Sequence, residues 1–153
     1  MKKTILITSG ARRFGRAIAE ALIKDNWSIA LHYNSSKKEA EETAHSLNKM
    51  GGEVSLYRAD FLDIEKTENF IESLAKDKNN WCGLINNAGL FNYDTGDNYG
   101  FKNLNEHMTV NFSAPALLIK GLYKNIRKKN SSSYNSNIAI NILDAKIFGL
   151  NPD

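Results

Sequence analysis

Cysteine is almost missing from this chain. Cys82 stands alone in 153 residues, so no internal disulfide can staple the fold, and its place at the start of an apolar strand-like run reads as packing. Histidine is nearly as scarce: His32, His45 and His107 share no ligand-like spacing with one another or with Cys82, which leaves no sequence case for a metal site. Charge of one sign is not in excess either, and a formal net charge of +3 is too small to imply a nucleic-acid or membrane partner. The densest basic cluster, Arg127-Lys128-Lys129, falls where a helix should end and where cations complement the helix dipole. The apolar run after Met1-Lys2-Lys3 stops at Ser9-Gly10, too short for a secretory leader, so the expected location is the cytoplasm. No internal repeat and no second-domain signal is present. A content of 42% hydrophobic and 24% charged residues suits one domain with a real core over residues 1–153.

What the chain does have is a glycine turn in a telling place. Thr8-Ser9-Gly10-Ala11-Arg12-Arg13-Phe14-Gly15 lies between the apolar run Ile5-Leu6-Ile7 and the helix-like run Arg16 to Ile23. A strand that turns through small residues into a helix N-terminus aims unpaired N–H groups and the positive end of the helix dipole at an anion, which is how a dinucleotide pyrophosphate is held. The turn has two glycines where the usual fingerprint has three, so its context has to decide.

That context is an alternation of β-branched apolar runs with stretches of helical period, the pattern of a parallel sheet with helices on its faces. Strands are expected near residues 3–8, 28–33, 53–59, 83–86 and 138–143, and helices near 14–25, 37–50, 64–77 and 103–128. The second helix sets Ala40, Ala44, Leu47 and Met50 on one side and ends at Gly51-Gly52. Residues 130–137, rich in asparagine and serine, read as a surface connection.

Asn86-Asn87-Ala88-Gly89 closes the fourth strand and matches the NNAG motif, and with it the chain resembles the short-chain dehydrogenase/reductase family along essentially its whole length. The fold implied is α/β, a Rossmann-type doubly wound parallel sheet, here running only to its fifth strand. Within the family the chain looks most like the pteridine-reductase branch: Arg12-Arg13 in place of the middle glycine, His32-Tyr33 after strand two, Phe91 after NNAG, and Asp144 where the family usually has serine.

The resemblance implies a cofactor site at Ser9, Arg12, Arg13, Phe14, Gly15, Tyr33, Asn34, Ser35, Asp60, Asn87, Ala88 and Gly89. Ser9 stands where the family has its first glycine and is expected to open the turn slightly, weakening nucleotide binding without abolishing it. The end of strand two, His32-Tyr33-Asn34-Ser35-Ser36, lacks the carboxylate that favours NAD, and Arg12 and Arg13 bring positive charge, so the implied cofactor is NADP. Asp60 matches a carboxylate that accepts from the adenine amino group; it equally suits a cap for the helix beginning near Ile64. Pro115 lacks the N–H that the Asn111 carbonyl would need four residues back, which suits either a helix that simply bends there or the family's kinked helix, whose asparagine anchors the water of a proton relay. Phe91 matches an aromatic that stacks on a flat substrate ring, or is plain packing. Asp144 matches a carboxylate that shares a proton with the catalytic tyrosine, making Asn111 and Asp144 the implied catalytic residues.

The tyrosine itself is absent. The family's Tyr-x-x-x-Lys should follow Asp144, yet no such spacing occurs after residue 37, and the literal match Tyr33 to Lys37 belongs to the adenosine end. These residues read as the N-terminal part of a reductase of a carbonyl or pterin-like small molecule. Loss of the pair removes a general-acid contribution of about 10²–10⁴, so turnover by this chain alone is expected to be very slow. A separate chain supplying the missing half is an implied partner; family members form homo-oligomers, but most of that interface would lie in the absent part. Strand five should be an uncovered edge, and the long helix should expose Leu117, Leu118 and Leu122. A non-catalytic nucleotide-binding remnant of an interrupted gene is the alternative, and a binding module for RNA or protein using Arg12-Arg13 and the Arg127 cluster is a third reading.

Overall fold

The computed structural model describes residues 2–143 apart from residues 79, 93, 94, 96, 98, 99 and 129–136. Strand β1 (Thr4–Ile7) is buried at every position, as a central parallel strand covered on both faces must be. Its alternation splits the interior in two. Leu6 points to one side with Ala30 and Leu84, while Ile5 and Ile7 point to the other with Ile29, Leu31 and Ile85.

Helix α1 (Arg13–Lys24), strand β2 (Ser28–Tyr33) and helix α2 (Lys37–Lys49) follow, and both helices cover the Ile5/Ile7 face through Ala19, Ile23, Ala40 and Leu47. Gly51 ends α2 at φ +84°, a left-handed conformation that suits the residue beyond a helix C-terminus. Strand β3 (Glu53–Arg58), helix α3 (Ile64–Asp77) and strand β4 (Trp81–Asn86) come next. Helix α4 (Phe101–Met108), a π-helical turn at Thr109–Ser113 and helix α5 (Ala114–Lys128) lead to strand β5 (Ile138–Asn141). All strand pairs are parallel and the order is β3-β2-β1-β4-β5, the doubly wound Rossmann-type arrangement.

Three local differences from the sequence reading have physical causes. Strand β4 starts two residues earlier than expected because Thr4 pairs with Trp81 and Ile5 with Gly83, leaving Cys82 as the extra residue of a bulge. Trp81 is 1% exposed, and its carbonyl accepts a 2.8 Å hydrogen bond from the buried amide of Asn125 in α5. The long fourth helix is not one regular helix. Its backbone widens so that Ala114 N–H donates to Thr109 O, five residues back, just before Pro115 removes the donor an α-helix would need. Finally, Leu118 and Leu122 are not exposed as expected: they pack with Leu84 and Phe70 in the core, and Phe112, Ile119 and Tyr123 face outward instead. β5 forms the outer strand beside β4 with its residues exposed. Among the described residues no helix is long and apolar enough to cross a membrane.

Candidate active site

The β1-to-α1 turn is shaped by backbone groups that must find partners once Ile7 and Thr8 are buried. Ser9 adopts φ +50°, a left-handed conformation taken without a glycine. The turn is held closed on both sides, so serine strains the backbone where an opened turn was expected. On the β2 side Ser9 N–H donates to His32 Nδ1 at 3.2 Å and Gly10 N–H to His32 O at 3.0 Å. On the β4 side Asn87 Nδ2 donates to Thr8 O at 3.1 Å and Ser9 O at 3.2 Å. Thr43 Oγ1 of α2 donates to Ala11 O at 2.8 Å.

Gly15 fits because it has no side chain: a Cβ there would stand 2.5 Å from Ser9 O and 2.7 Å from Asn87 Nδ2. Arg12 occupies the N-cap of α1 with no side-chain cap, and no acidic residue lies in the first turn, so the first-turn N–H groups carry the dipole's positive end without an internal counter-charge. Arg12, Arg13 and Phe14 are exposed around them. Arg12 Nη1 reaches Glu39 Oε1 of α2 at 3.4 Å, a carboxylate that sequence reasoning did not place near this turn.

Tyr33, Asn34 and Ser35 follow at the end of β2. Asn34 Nδ2 donates to Asp60 Oδ1 at 3.3 Å, and Leu62 N–H donates to the same oxygen at 3.1 Å. Of the two roles left open for Asp60, the α3 cap belongs to Asp63, whose carboxylate accepts Lys66 N–H at 3.0 Å and is held below the usual carboxylate range by Lys66. Asp60 thus faces the β2 and β3 loop ends. The Tyr33-to-Lys37 match sits here too, with Lys37 paired to Glu41 at 3.7 Å and all of β1 between it and β4.

At the end of β4 one hydroxyl does much of the joining. Thr8 Oγ1 accepts Asn87 N–H and Ala88 N–H, each at 2.8 Å, and donates to Ile85 O at 3.3 Å. Asn86 Nδ2 donates to Asn141 Oδ1 at 2.8 Å, linking β4 to β5. Asn111 clamps the next loop with both side-chain atoms: Oδ1 accepts Leu90 N–H at 2.7 Å and Nδ2 donates to Leu90 O at 2.9 Å. Gly89, Phe91, Asn111, Phe112, Pro115 and Ile142 border a cleft of about 670 Å³. Phe91 is 82% exposed and Phe112 64%, so both present open ring faces. Asp144 lies outside the described residues.

These residues collect at the C-terminal ends of β1 to β4, where the chain leaves β1 to one side for β2 and later returns to its other side with β4. That is the switch point at which open parallel sheets bind ligands. The family model for short chain dehydrogenase matches residues 3–134. The chain belongs to this family.

Among its relatives, the uncharacterized oxidoreductase YgfF of Escherichia coli K12 is 26% identical over 129 residues, covering 84% of this chain and 52% of that protein. The 3-oxoacyl-(acyl-carrier-protein) reductase FabG of Staphylococcus aureus is 28% identical over 90 residues, 59% of this chain and 37% of its own. In fold, the FolM alternative dihydrofolate reductase 1 of Brucella canis, solved in complex with NADP, superposes with a TM-score of 0.82 at 27% identity, over 98% of this chain and 58% of that one. The chain spans about half the length of the curated relatives it matches.

A nicotinamide dinucleotide, the cofactor of short chain dehydrogenases, suits the residues present. The uncapped first turn of α1, brought close to the β1 turn by Gly15, and the exposed guanidiniums suit a pyrophosphate, and Asp60 offers a carboxylate beside the end of β2. Phe112 was missed by sequence reasoning, as were the bonds that Thr8 and His32 make to the turn. Thr8 was named only as the first residue of the glycine turn, and nothing in the string shows which amides reach it.

Proposed function

We propose that this short chain dehydrogenase binds NADP across the ends of β1 to β4 and serves reduction of a carbonyl or pterin-like small molecule in the cytoplasm. The observation that carries the NADP reading is the exposed Arg12-Arg13 pair beside a β2 end made of His32, Tyr33, Asn34 and Ser35, with no carboxylate in that run. A 2′-phosphate there meets guanidinium, hydroxyl and amide donors. The FolM structure in complex with NADP supports the same choice by likeness.

When bound, a reduced nicotinamide supplies the hydride. The chain's own residues do the holding: Thr8 and Asn87 fix the β4 end to the turn, and Asn111 fixes Leu90 at the cleft floor. Phe91 and Phe112 offer ring faces for a flat substrate, which is what favours a pterin-like molecule. Asn111 and Asp144 remain the proposed proton-handling residues. The family's Tyr-x-x-x-Lys does not occur after residue 37.

The deciding experiment is a paired titration with NADPH and NADH followed by intrinsic tryptophan fluorescence, then an assay of NADPH oxidation with a dihydropterin and an activated ketone. NADPH should bind at least about tenfold tighter. Equal affinity overturns the NADP choice, and no binding of either overturns the reading as a whole.

Glu39 sharpens this test, because a 2′-phosphate must compete with its carboxylate for the Arg12 guanidinium. Arg12→Ala should weaken NADPH by roughly tenfold while leaving NADH within about twofold, and Glu39→Gln should tighten NADPH alone. Parallel losses for both nucleotides in Arg12→Ala would show that Arg12 does not read the 2′-phosphate.

A further inference from the structure

His32 is a buried ionisable side chain beside the β1-to-α1 turn. It is 2% exposed, and Phe61 stacks on its ring at 4.2 Å between centroids and 9° between planes, with Phe70 tilted against it at 5.7 Å. Its two nitrogens face two different loops. Nε2 lies 3.1 Å from Ala59 O at the end of β3, a carbonyl that accepts only, so Nε2 carries the proton. Nδ1 therefore holds the lone pair, and it meets Ser9 N–H at 3.2 Å.

We propose that His32 is a positioning residue for the dinucleotide: through Nδ1 it holds Ser9 in its left-handed conformation, so that the first-turn N–H groups of α1 stay aimed at a bound pyrophosphate. The inference rests on the nucleotide-binding reading for its ligand, and on the ligand-free geometry for everything else. Ser9 has a side chain at φ +50°, a conformation that persists in a non-glycine residue only where its surroundings over-determine it. Asn87 holds the carbonyl side of Ser9, and His32 holds its amide side. It takes Ser9 N–H with its ring and Gly10 N–H with its own carbonyl, so both inward amides of the turn are spent on one residue of β2. The amides further on are then the ones left for a ligand. The same ring reaches Ala59, which precedes Asp60, so one imidazole also registers the phosphate turn against the loop at the adenosine end.

The two bonds can be separated by substitution. In His32→Asn the side-chain oxygen falls near the place of Nδ1 and accepts from Ser9, while the bond to Ala59 is lost. In His32→Gln the longer amide reaches Ala59 but puts no acceptor under Ser9. His32→Leu removes both. NADPH affinity should stay within about threefold of wild type in His32→Asn and fall about tenfold in His32→Gln and His32→Leu. In the ligand-free protein, hydrogen exchange at the Ser9 amide should be slow in wild type and His32→Asn and fast in His32→Gln. A loss that merely reflected a damaged core would follow melting temperature and would not favour Asn over Gln. Wild-type NADPH affinity together with slow Ser9 exchange in His32→Gln overturns the proposal. If wild type binds no NADPH, the functional reading fails, and Ser9 exchange alone decides whether His32 holds the turn.

Discussion

Gly15→Ala should abolish measurable dinucleotide binding and lower the melting temperature, although it adds one methyl group. The reason is where that methyl falls: 2.5 Å from Ser9 O and 2.7 Å from Asn87 Nδ2, closer than non-bonded atoms tolerate. Both obstacles are fixed. Ser9 O is backbone, and Asn87 Nδ2 is committed to the carbonyls of Thr8 and Ser9. The start of α1 must therefore back away from the turn, and the N–H groups meant for the phosphates move with it. Overpacking of this kind costs about 1–3 kcal/mol in stability. A displacement near 1 Å in a positioning element costs roughly 10²-fold in what it positions. Calorimetric melting and an NADPH titration on the same preparation check both effects. An alanine variant that melts with wild type and binds NADPH equally would mean that α1 and the turn do not pack as closely as the structure shows.

Acid should destabilise the fold well before its carboxylates are protonated. Burial pushes the His32 imidazole down from 6.5 to about 4, against the opposing pull of its bond to Ala59 O and of the Asp60 carboxylate. The unfolded chain takes up a proton on this histidine as pH falls through 6.5, whereas the folded chain resists until about 4. Stability is full above the upper value, declines between the two, and has lost about 3 kcal/mol below the lower one. Urea unfolding at pH 7.5 and pH 4.5 measures the drop. His32→Asn, having nothing to titrate, should show a shallower fall over the same interval. Asp63 and Asp77, both held low by their neighbours, add losses further down the scale and are common to both proteins. Equal slopes in wild type and His32→Asn would show that His32 is not kept neutral by the fold.

The parts legible in the sequence are those that depend on near neighbours. The strand at 28–33 and the helix at 64–77 were readable to the residue because period, turn signals and local propensity agree there. NNAG and the glycine turn, both legible in the sequence, meet at the C-terminal ends of β1 and β4. What escaped depends on distance along the chain. Thr8 and Asn87 are 79 residues apart, and Arg12 and Glu39 are 27 apart, so neither pairing leaves a trace in the string. Asp60 and Asp63 illustrate a finer failure: two aspartates near a helix start both suit a cap, and only the backbone path gives Lys66 N–H to the second. Leu118 and Leu122 were expected to lie exposed for want of a covering neighbour, but α5 turns both onto the sheet beside Leu84 and Phe70, a long-range contact that the string does not show.

The extra residue of the π turn before Pro115 has a geometric consequence for the whole second half of the sheet. One added residue per turn advances the angular phase of everything after it by about 100°. Upstream of the π turn, Glu106 and His107 meet Asn92; downstream, Leu118 and Leu122 meet the interior, and the added residue sets the angle between these two faces. Thr109–Ser113 thus works as a rotary coupling between a half-helix that serves the cleft and a half-helix that serves the core, with Asn111 at the joint.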